Sequence, residues 1–476
     1  VYRAFRLEEL KKPLSASGLG DDAQFDRVST DTRNLQQGDL FVALSGPNFD
    51  GNRFVAQARD LGAVAAIVSE FQQVDIPQLK VADTRIALGQ ISALNRQLYT
   101  NPLVAITGSS GKTSVKEMLA SILRTQGDVL ATKGNLNNEI GVPLTLLELK
   151  SQHRFGVIEL GASGLGEIAY TVSLAEPDVA ILNNAGGAHL EGFGDLNGVV
   201  KAKGEIFEGL TSDGTGVVNL DDPSASIWLA QLRDKKHLTF SLLSAHADLF
   251  ASHIEEAVNG CYGYVLNSHE GSVQIQLQVL GRHMIANAMA AAAAAIALGI
   301  DLQQIKTGLE QFQAVPGRLV ASTTSAGTRV IDDTYNANPD SMKAAIDVLG
   351  DLSGTRILVM GNMGELGSEA VNLHREIGDY AATQGIELLL AVGELASVAA
   401  TAFNTKGGES RVFENNQALA TWLNKRVNEE MVVLIKGSRS AAMETVVEAL
   451  LTAPLTVESS AVESQSVVNK NTEGNC

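Results

Sequence analysis

The stretch Leu103-Val104-Ala105-Ile106-Thr107-Gly108-Ser109-Ser110-Gly111-Lys112-Thr113-Ser114 decides the fold. Five residues without a charge read as a buried strand, two glycines bracket a tight turn, and a helix opens at about Thr113. Glycines let backbone N–H groups approach phosphate oxygens, and the helix N-terminus adds positive potential. Lys112 is spaced to reach the β- and γ-phosphates of a nucleotide, and the Thr113 hydroxyl to ligate Mg²⁺. Ile106 stands where the long form G-x-x-x-x-G-K-[ST] has its first glycine, so the loop is the shorter G-x-x-G-K-T.

Outward from this loop, short apolar runs alternate with helical stretches. Phe155–Leu160 and Val179–Leu182 read as further strands, and Val273–Val279 as a half-exposed antiparallel one. Before Asn101-Pro102, Asp39–Leu44, Phe54–Leu61 and Gly62–Val68 form a small strand–helix–strand unit. After Pro316-Gly317 the pattern restarts with strands at Arg329–Asp332, Arg356–Met360, Leu388–Val392 and Val432–Ile435. The expected fold class is α/β with three domains. These are a small N-terminal α/β domain (1–99), a central P-loop-type domain on a mainly parallel sheet (100–315) and a C-terminal Rossmann-like domain (316–455). Residues 456–476 are rich in Ser, Glu, Asn and Gln and read as a disordered tail.

Composition narrows the function. The 476 residues carry 36 Lys+Arg against 54 Asp+Glu, a net charge of −18, which excludes a nucleic-acid partner held by counterion release. Two cysteines, Cys261 and Cys476, make neither a disulfide framework nor a zinc cluster and fit a reducing compartment. Arg3, Arg6, Lys11 and Lys12 open the chain without a following apolar run, so no signal peptide is expected. Ala288–Ile300 is too short to span a bilayer and reads as a buried helix. The expectation is a cytoplasmic protein without membrane insertion.

Other motifs are weaker. Gly164-Leu165-Gly166-Glu167-Ile168-Ala169 fits a dinucleotide fingerprint, but it stands too far from its strand and lacks an acidic partner, so it reads as a turn and helix start. Asn424-Lys425-Arg426-Val427 and Asn469-Lys470-Asn471-Thr472 both fail the guanine-reading N-K-x-D. Glu159 ends a strand, where an acid serves either as a Mg²⁺ ligand or as a cap on the next loop. His189 in a loop, and Lys201 and Lys203 on a helix, receive no role from composition.

The chain resembles the Mur ligase family from about residue 25 to 450. Ile106–Ser114 resembles the family's ATP loop, and Gly281–Ala288 its G-x-H-N-x-x-N segment. Pro316-Gly317-Arg318 and Asp333–Ser341 resemble two C-terminal nucleotide motifs. Gly134–Gly141, Gly361–Gly367 and Lys436–Ser440 point to the member that adds a dipeptide, and no D-N-P-R segment of the preceding enzyme is present. The resemblance implies ATP-dependent joining of D-alanyl-D-alanine to UDP-N-acetylmuramoyl-tripeptide through an acyl phosphate, by a monomer whose third domain closes on the site.

The resemblance also implies roles. Gly108, Ser109, Ser110, Gly111, Lys112, Thr113 and Ser114 would hold the ATP phosphates. Thr113 and Glu159 would bind one Mg²⁺. His189 and Lys203 would bind a second, with Lys203 carbamylated; Lys201 is the alternative. Asn287 would contact adenine, Arg318 the phosphates and Asp333 the ribose side. Asn336 and Lys436 would face the reacting groups. Thr30 and Thr32 would bind uridine, and Asn137 and Asn138 would line the peptide path. Met284 departs from the family's asparagine, and Asn362 from its common aspartate. A folylpolyglutamate synthase of the same fold and a nucleotide-cycling switch are the rival readings.

Overall fold

The computed structural model describes residues 1–46, 49–187, 190–257 and 260–453. His189 and the expected tail (456–476) lie outside the described residues. Three principal sheets follow one another along the chain.

The first has five strands, β1 (Ser17–Leu19), β2 (Val28–Ser29), β3 (Leu40–Val42), β4 (Ala65–Val68) and β5 (Gln78–Lys80), in the order β1-β5-β4-β3-β2. Helix α1 (Thr84–Leu98) begins at Asp83, whose carboxylate accepts the N–H groups of Arg85 and Ile86. Its buried Ala87, Leu88 and Ile91 join Leu40, Val42, Ala65 and Ile67 in one core. Arg96 on its last turn donates to the carbonyls of Ala175 and Glu176, which ties this unit to the next.

The second sheet has nine strands. They are β6 (Leu103–Thr107), β7 (Val129–Ala131), β8 (Phe155–Glu159), β9 (Val179–Leu182), β10 (Thr215–Asn219), β11 (Lys236–Ser241), β12 (Leu249–Glu256), β13 (Cys261–Ser268) and β14 (Gly271–Leu280). The order β7-β8-β6-β9-β10-β11-β12 is parallel, and β12-β13-β14 antiparallel. The alternation expected at Val273–Val279 is present in β14, with Val273, Ile275, Leu277 and Val279 buried. The sequence reading missed β7 and β10 to β13. Their polar ends and the exposed outer face of β12 hide the apolar signal.

Helix α2 (Lys112–Arg124) follows β6, as expected from the glycine turn. Helix α3 (Glu167–Ala175) starts at Gly166, so the second glycine motif is indeed a turn and helix start. Helix α4 (Leu196–Gly204) carries Lys203. The alanine run lies in α5 (His283–Ala297), buried from Ala288 to Ile296 against α2. Helix α6 (Leu302–Gln311) crosses α2 so closely that a Cβ on Gly308 would lie 2.3 Å from Ile122 Cα. Small side chains let these helices approach at close-packed density, and a larger residue there would cost about 1–3 kcal/mol.

The third sheet has six strands: β15 (Val320–Thr323), β16 (Arg329–Asp333), β17 (Thr355–Gly361), β18 (Leu388–Val392), β19 (Glu409–Phe413) and β20 (Met431–Lys436). The order is β15-β16-β20-β17-β18-β19, parallel except for β15. Helices α7 (Pro339–Asp351) and α8 (Ala370–Thr383) cover one face. Among the described residues no helix is long and apolar enough to cross a membrane.

Candidate active site

Ligands of open α/β sheets lie at the carboxyl ends of the strands. Three neighbouring parallel strands, β8, β6 and β9, end side by side in Glu159, the Gly108–Gly111 loop and Asn183-Asn184. The third sheet presents its own carboxyl ends from the other side. Asp333 on β16 and Lys436 on β20 are register partners there. Between the two lies a cleft of ≈ 730 Å³.

The phosphate loop is held by its neighbours. Ser110 N–H donates to Asn184 Oδ1 (2.9 Å), and Asn183 and Asn184 amides donate back to Ser110 O. Ser109 Oγ accepts Gly186 N–H (2.9 Å). Gly111 takes a left-handed φ of +80° at the N-cap of α2, and a Cβ there would meet Asn287 Oδ1 at 2.4 Å. No side chain caps this helix end, so its first N–H groups have no side-chain acceptor. Lys112 Nζ folds back to the Gly108 carbonyl at 2.7 Å. Burial disfavours its charge and the Glu159 carboxylate partly offsets that, so a phosphate anion would be a welcome further partner.

Glu159 is buried, 2% exposed. One carboxylate oxygen accepts Thr113 Oγ1–H (2.9 Å), the other Asn137 Nδ2–H (2.8 Å), and its own N–H donates to Thr132 Oγ1 (2.9 Å). Arg318 Nη2 reaches across from the third domain to Thr113 Oγ1 at 2.9 Å, and its guanidinium covers the Tyr335 ring at 4.3 Å. Asn338, the N-cap of α7, donates to Ser110 Oγ (3.3 Å), and Asp340 accepts Gly187 N–H (3.1 Å). Thus the third domain touches the phosphate loop directly.

Lys436 donates to Asp333 Oδ2 at 2.6 Å and to the Asn336 carbonyl at 2.9 Å. Burial pushes the Asp333 carboxyl up, and the Lys436 ammonium pulls against it. His283 lines the same wall; burial, then the Lys436 charge, push its pKa down to about 4. Asn287, 5% exposed, accepts Asn183 Nδ2–H and donates to Met284 Sδ (3.4 Å), so the departure at 284 still supplies an acceptor.

Of the expected residues, Ser109 to Ser114, Asn137, Asn138, Glu159, Asn287, Arg318, Asp333, Asn336 and Lys436 all line the cleft. Thr30 and Thr32 do not: they lie in the first domain beside the bond from Thr32 Oγ1 to Gln57 (3.5 Å). Lys203 is buried (1% exposed) behind the wall, whereas Lys201 is exposed. Burial first, then the charge of Lys112, push the Lys203 amine down to about 7. Its Nζ lies over the Phe193 ring at 5.3 Å, and the charges of Glu167 and Glu205 act on it from a distance.

Asn183, Asn184, Asn338 and Asp340 received no role from the sequence, because their partners are 73 to 228 residues away in the chain. Two buried polar atoms at the cleft, Asn183 Oδ1 and Arg318 Nε, have no hydrogen-bond partner among the described residues. Buried polar atoms are normally paired, so these two mark a place where a polar ligand fits. Among the described residues, no group of three or more His, Cys, Asp or Glu side chains is arranged to hold a metal alone.

Comparison with known proteins agrees with this architecture. Residues 24–123 match the model of the Mur ligase family, catalytic domain. Residues 106–295 match the Mur ligase middle domain, and 317–439 the Mur ligase, glutamate ligase domain. The chain is 46% identical over 446 residues to UDP-N-acetylmuramoyl-tripeptide–D-alanyl-D-alanine ligase of Escherichia coli, covering 93% of this chain and 98% of that one. It superposes on a crystal structure of MurF from Acinetobacter baumannii with a TM-score of 0.89 at 37% identity, covering 95% of this chain and 100% of that one. MurF ligase from Thermotoga maritima in complex with ADP gives a TM-score of 0.79 at 27% identity, with 89% and 96% covered. This chain therefore belongs to the Mur ligase family.

Proposed function

We propose that this chain joins D-alanyl-D-alanine to UDP-N-acetylmuramoyl-tripeptide at the expense of ATP, giving the UDP-linked pentapeptide used in peptidoglycan synthesis. The observation that carries this reading is the 46% identity along nearly the whole of a relative with that name. The two-walled cleft supports it, because a nucleotide site split between domains suits a ligase better than a single-domain switch.

ATP binds with its phosphates on the Gly108–Ser114 loop, where the amides of α2 and Lys112 meet its charge. Asn287, beside Gly111, is the residue assigned to adenine, and Asp333 and Asn336 complete the nucleotide site from the third domain. Arg318 approaches from that domain to the same phosphates. The UDP moiety is assigned to Thr30 and Thr32, and the peptide to Asn137 and Asn138.

The tripeptide's terminal carboxylate attacks the γ-phosphorus and ADP leaves. The dipeptide amine then attacks the acyl carbon, and phosphate departs carrying one oxygen of the original carboxylate. Two anions must meet in the first step. Lys112 and Arg318 lower that repulsion. Lys436, held by Asp333 and the Asn336 carbonyl, is assigned to the reacting acyl group.

The residues fit Mg²⁺. Thr113 and Glu159 offer hard oxygen donors 2.9 Å apart and would hold one ion, which supplies charge neutralisation at the phosphates. Lys203, with His189, would hold a second. A buried amine with its pKa near 7 is about half uncharged at neutral pH, and the uncharged form is the one that reacts with CO₂. Carbamylation turns that amine into an anionic oxygen ligand.

The test is phosphate release from ATP with UDP-muramoyl-tripeptide and the dipeptide added singly and together. Release that needs both, matched by UDP-pentapeptide, is the expected result. Release indifferent to both would leave an ATPase with another partner.

A further inference from the structure

His374 on α8 lies wholly inside the third domain (0% exposed). Its Nδ1 is 2.6 Å from the Ala370 carbonyl one turn earlier, and its Nε2 is 2.9 Å from the backbone N of Met363. A carbonyl only accepts, so Nδ1 carries the proton. An amide N–H only donates, so Nε2 is bare. The two contacts together admit one form of the ring, the neutral Nδ1–H tautomer.

Met363 belongs to the turn 362–366 that leaves the carboxyl end of β17. Gly364 and Glu365 of this turn line the cleft. Glu365 sits at φ +61°, a left-handed conformation that a non-glycine residue keeps only when its surroundings hold it. They do so from several sides. Asn362 O accepts Ser438 N–H (2.8 Å), and Asn362 Oδ1 accepts Ala396 N–H (2.9 Å). Met363 and Leu366 are buried in the core beneath.

Immediately after the turn, Gly367 packs against the central domain, its Cβ position 3.6 Å from Glu191 Cα. The next residue there, Gly192, lies against the Ser163 carbonyl, and Ser163 lines the cleft near Gly161 and Asn137. The turn therefore joins the two walls at the peptide end of the cleft. The Gly111–Asn287 end, assigned to the nucleotide, is held by other bonds.

We propose that His374 is a positioning residue: its neutral ring fixes the turn Asn362–Leu366 so that Gly364 and Glu365 form the surface that receives the incoming dipeptide. Without a nitrogen acceptor at that point, the Met363 N–H is a buried donor with nothing to pair with, and the turn is free to leave its strained form. This rests on the ligase reading given above.

The test uses the full-length enzyme and two variants, His374→Leu and His374→Gln. Leucine removes both ring nitrogens at similar volume. Glutamine can bring a carbonyl oxygen to the place of Nε2. Each substrate is varied in turn with the other two saturating. The expected result for His374→Leu is a loss of about tenfold or more in kcat/KM for D-alanyl-D-alanine. KM for ATP should stay within about twofold of wild type, and His374→Gln should restore most of the loss.

Wild-type kinetics in His374→Leu overturn the proposal. So does a loss spread evenly over the three substrates, or one that glutamine does not relieve. If neither variant folds, the wild-type protein decides the matter. Its ¹⁵N-labelled histidine ring, assigned through coupling to the Met363 amide, should be the neutral Nδ1–H tautomer at neutral pH. An Nε2–H tautomer or an imidazolium overturns the assignment. Absence of ligation by the wild-type enzyme would instead sink the ligase reading, and the ring measurement would still stand on its own.

Discussion

On the central wall of the cleft, the acid Glu159 is bonded to neutral groups, the Thr113 hydroxyl and the Asn137 amide. On the C-terminal wall, the acid Asp333 is bonded to a cation, Lys436, at 2.6 Å. Both acids sit at the carboxyl ends of parallel strands, and both are buried. On the central wall the Glu159 charge has no directly bonded cation and is offset only through space, by Lys112, at the loop where a polyanion and its counter-cations are to be received. The C-terminal wall neutralises itself through the pair. Position in the sheet is shared; what differs is the partner, which leaves one acid without a bonded cation and pairs the other within its own wall.

The largest effect should come from Lys112. Lys112→Ala removes the one ammonium folded into the phosphate loop, and ligation should fall by about 10³-fold or more with the fold intact. Steady-state kinetics with far-UV circular dichroism check this. Retained activity would mean that the central wall does not meet the phosphates.

The C-terminal pair breaks differently. Lys436→Met leaves Asp333 buried and unpaired, at a cost of about 3–5 kcal/mol in unfolding free energy. The double variant with Asp333→Asn should regain most of that stability in urea unfolding while ligation stays impaired. Equal stability of single and double variants would show that the pair is not self-neutralising.

Glu159→Gln tests the other wall. Stability should change by less than for Lys436→Met, because its partners are neutral and one accepting oxygen is kept. Ligation should drop by about 10²-fold, with a higher Mg²⁺ concentration needed for half-maximal rate. An unchanged Mg²⁺ requirement would remove Glu159 from the metal site.

The smallest effect concerns Lys203. Its amine, held near 7 by burial and by Lys112, loses its proton well below the range of an exposed lysine. The neutral form dominates above about pH 7, so a ¹³C carbamate signal from labelled bicarbonate should be strong at pH 8 and fade as pH falls through 7. The sign follows from the depressed pKa. Below it the amine is protonated and cannot attack CO₂. A signal in Lys203→Ala equal to that of wild type would place the carbamate elsewhere.

Much of the central wall was legible in the sequence. A strand, a glycine turn and a helix are local, and so are Lys112, Thr113 and the strand-end Glu159. The strand reading at Val179–Leu182 matches the structure residue for residue. The roles expected at Asn287, Arg318, Asp333 and Lys436 came only from family resemblance, since nothing in their spacing to the loop says that they meet it. The bonds among Asn183, Ser110, Asn338 and Gly187 close over long chain separations, and no periodicity records them. His374 was invisible for a simpler reason: one histidine on an amphipathic helix reads as a surface residue until its two nitrogens are located. Lys203 was preferred to Lys201 on the resemblance alone, and burial sets the two apart physically.

The central claim is that the tripeptide carboxylate itself takes the γ-phosphoryl group. The most direct measurement is oxygen transfer with the terminal carboxylate of UDP-muramoyl-tripeptide labelled with ¹⁸O. The expected result is one ¹⁸O in each phosphate released during ligation, because the acyl phosphate keeps that oxygen when the amine displaces it. Unlabelled phosphate would contradict it, since the γ-phosphoryl group would then have gone to water.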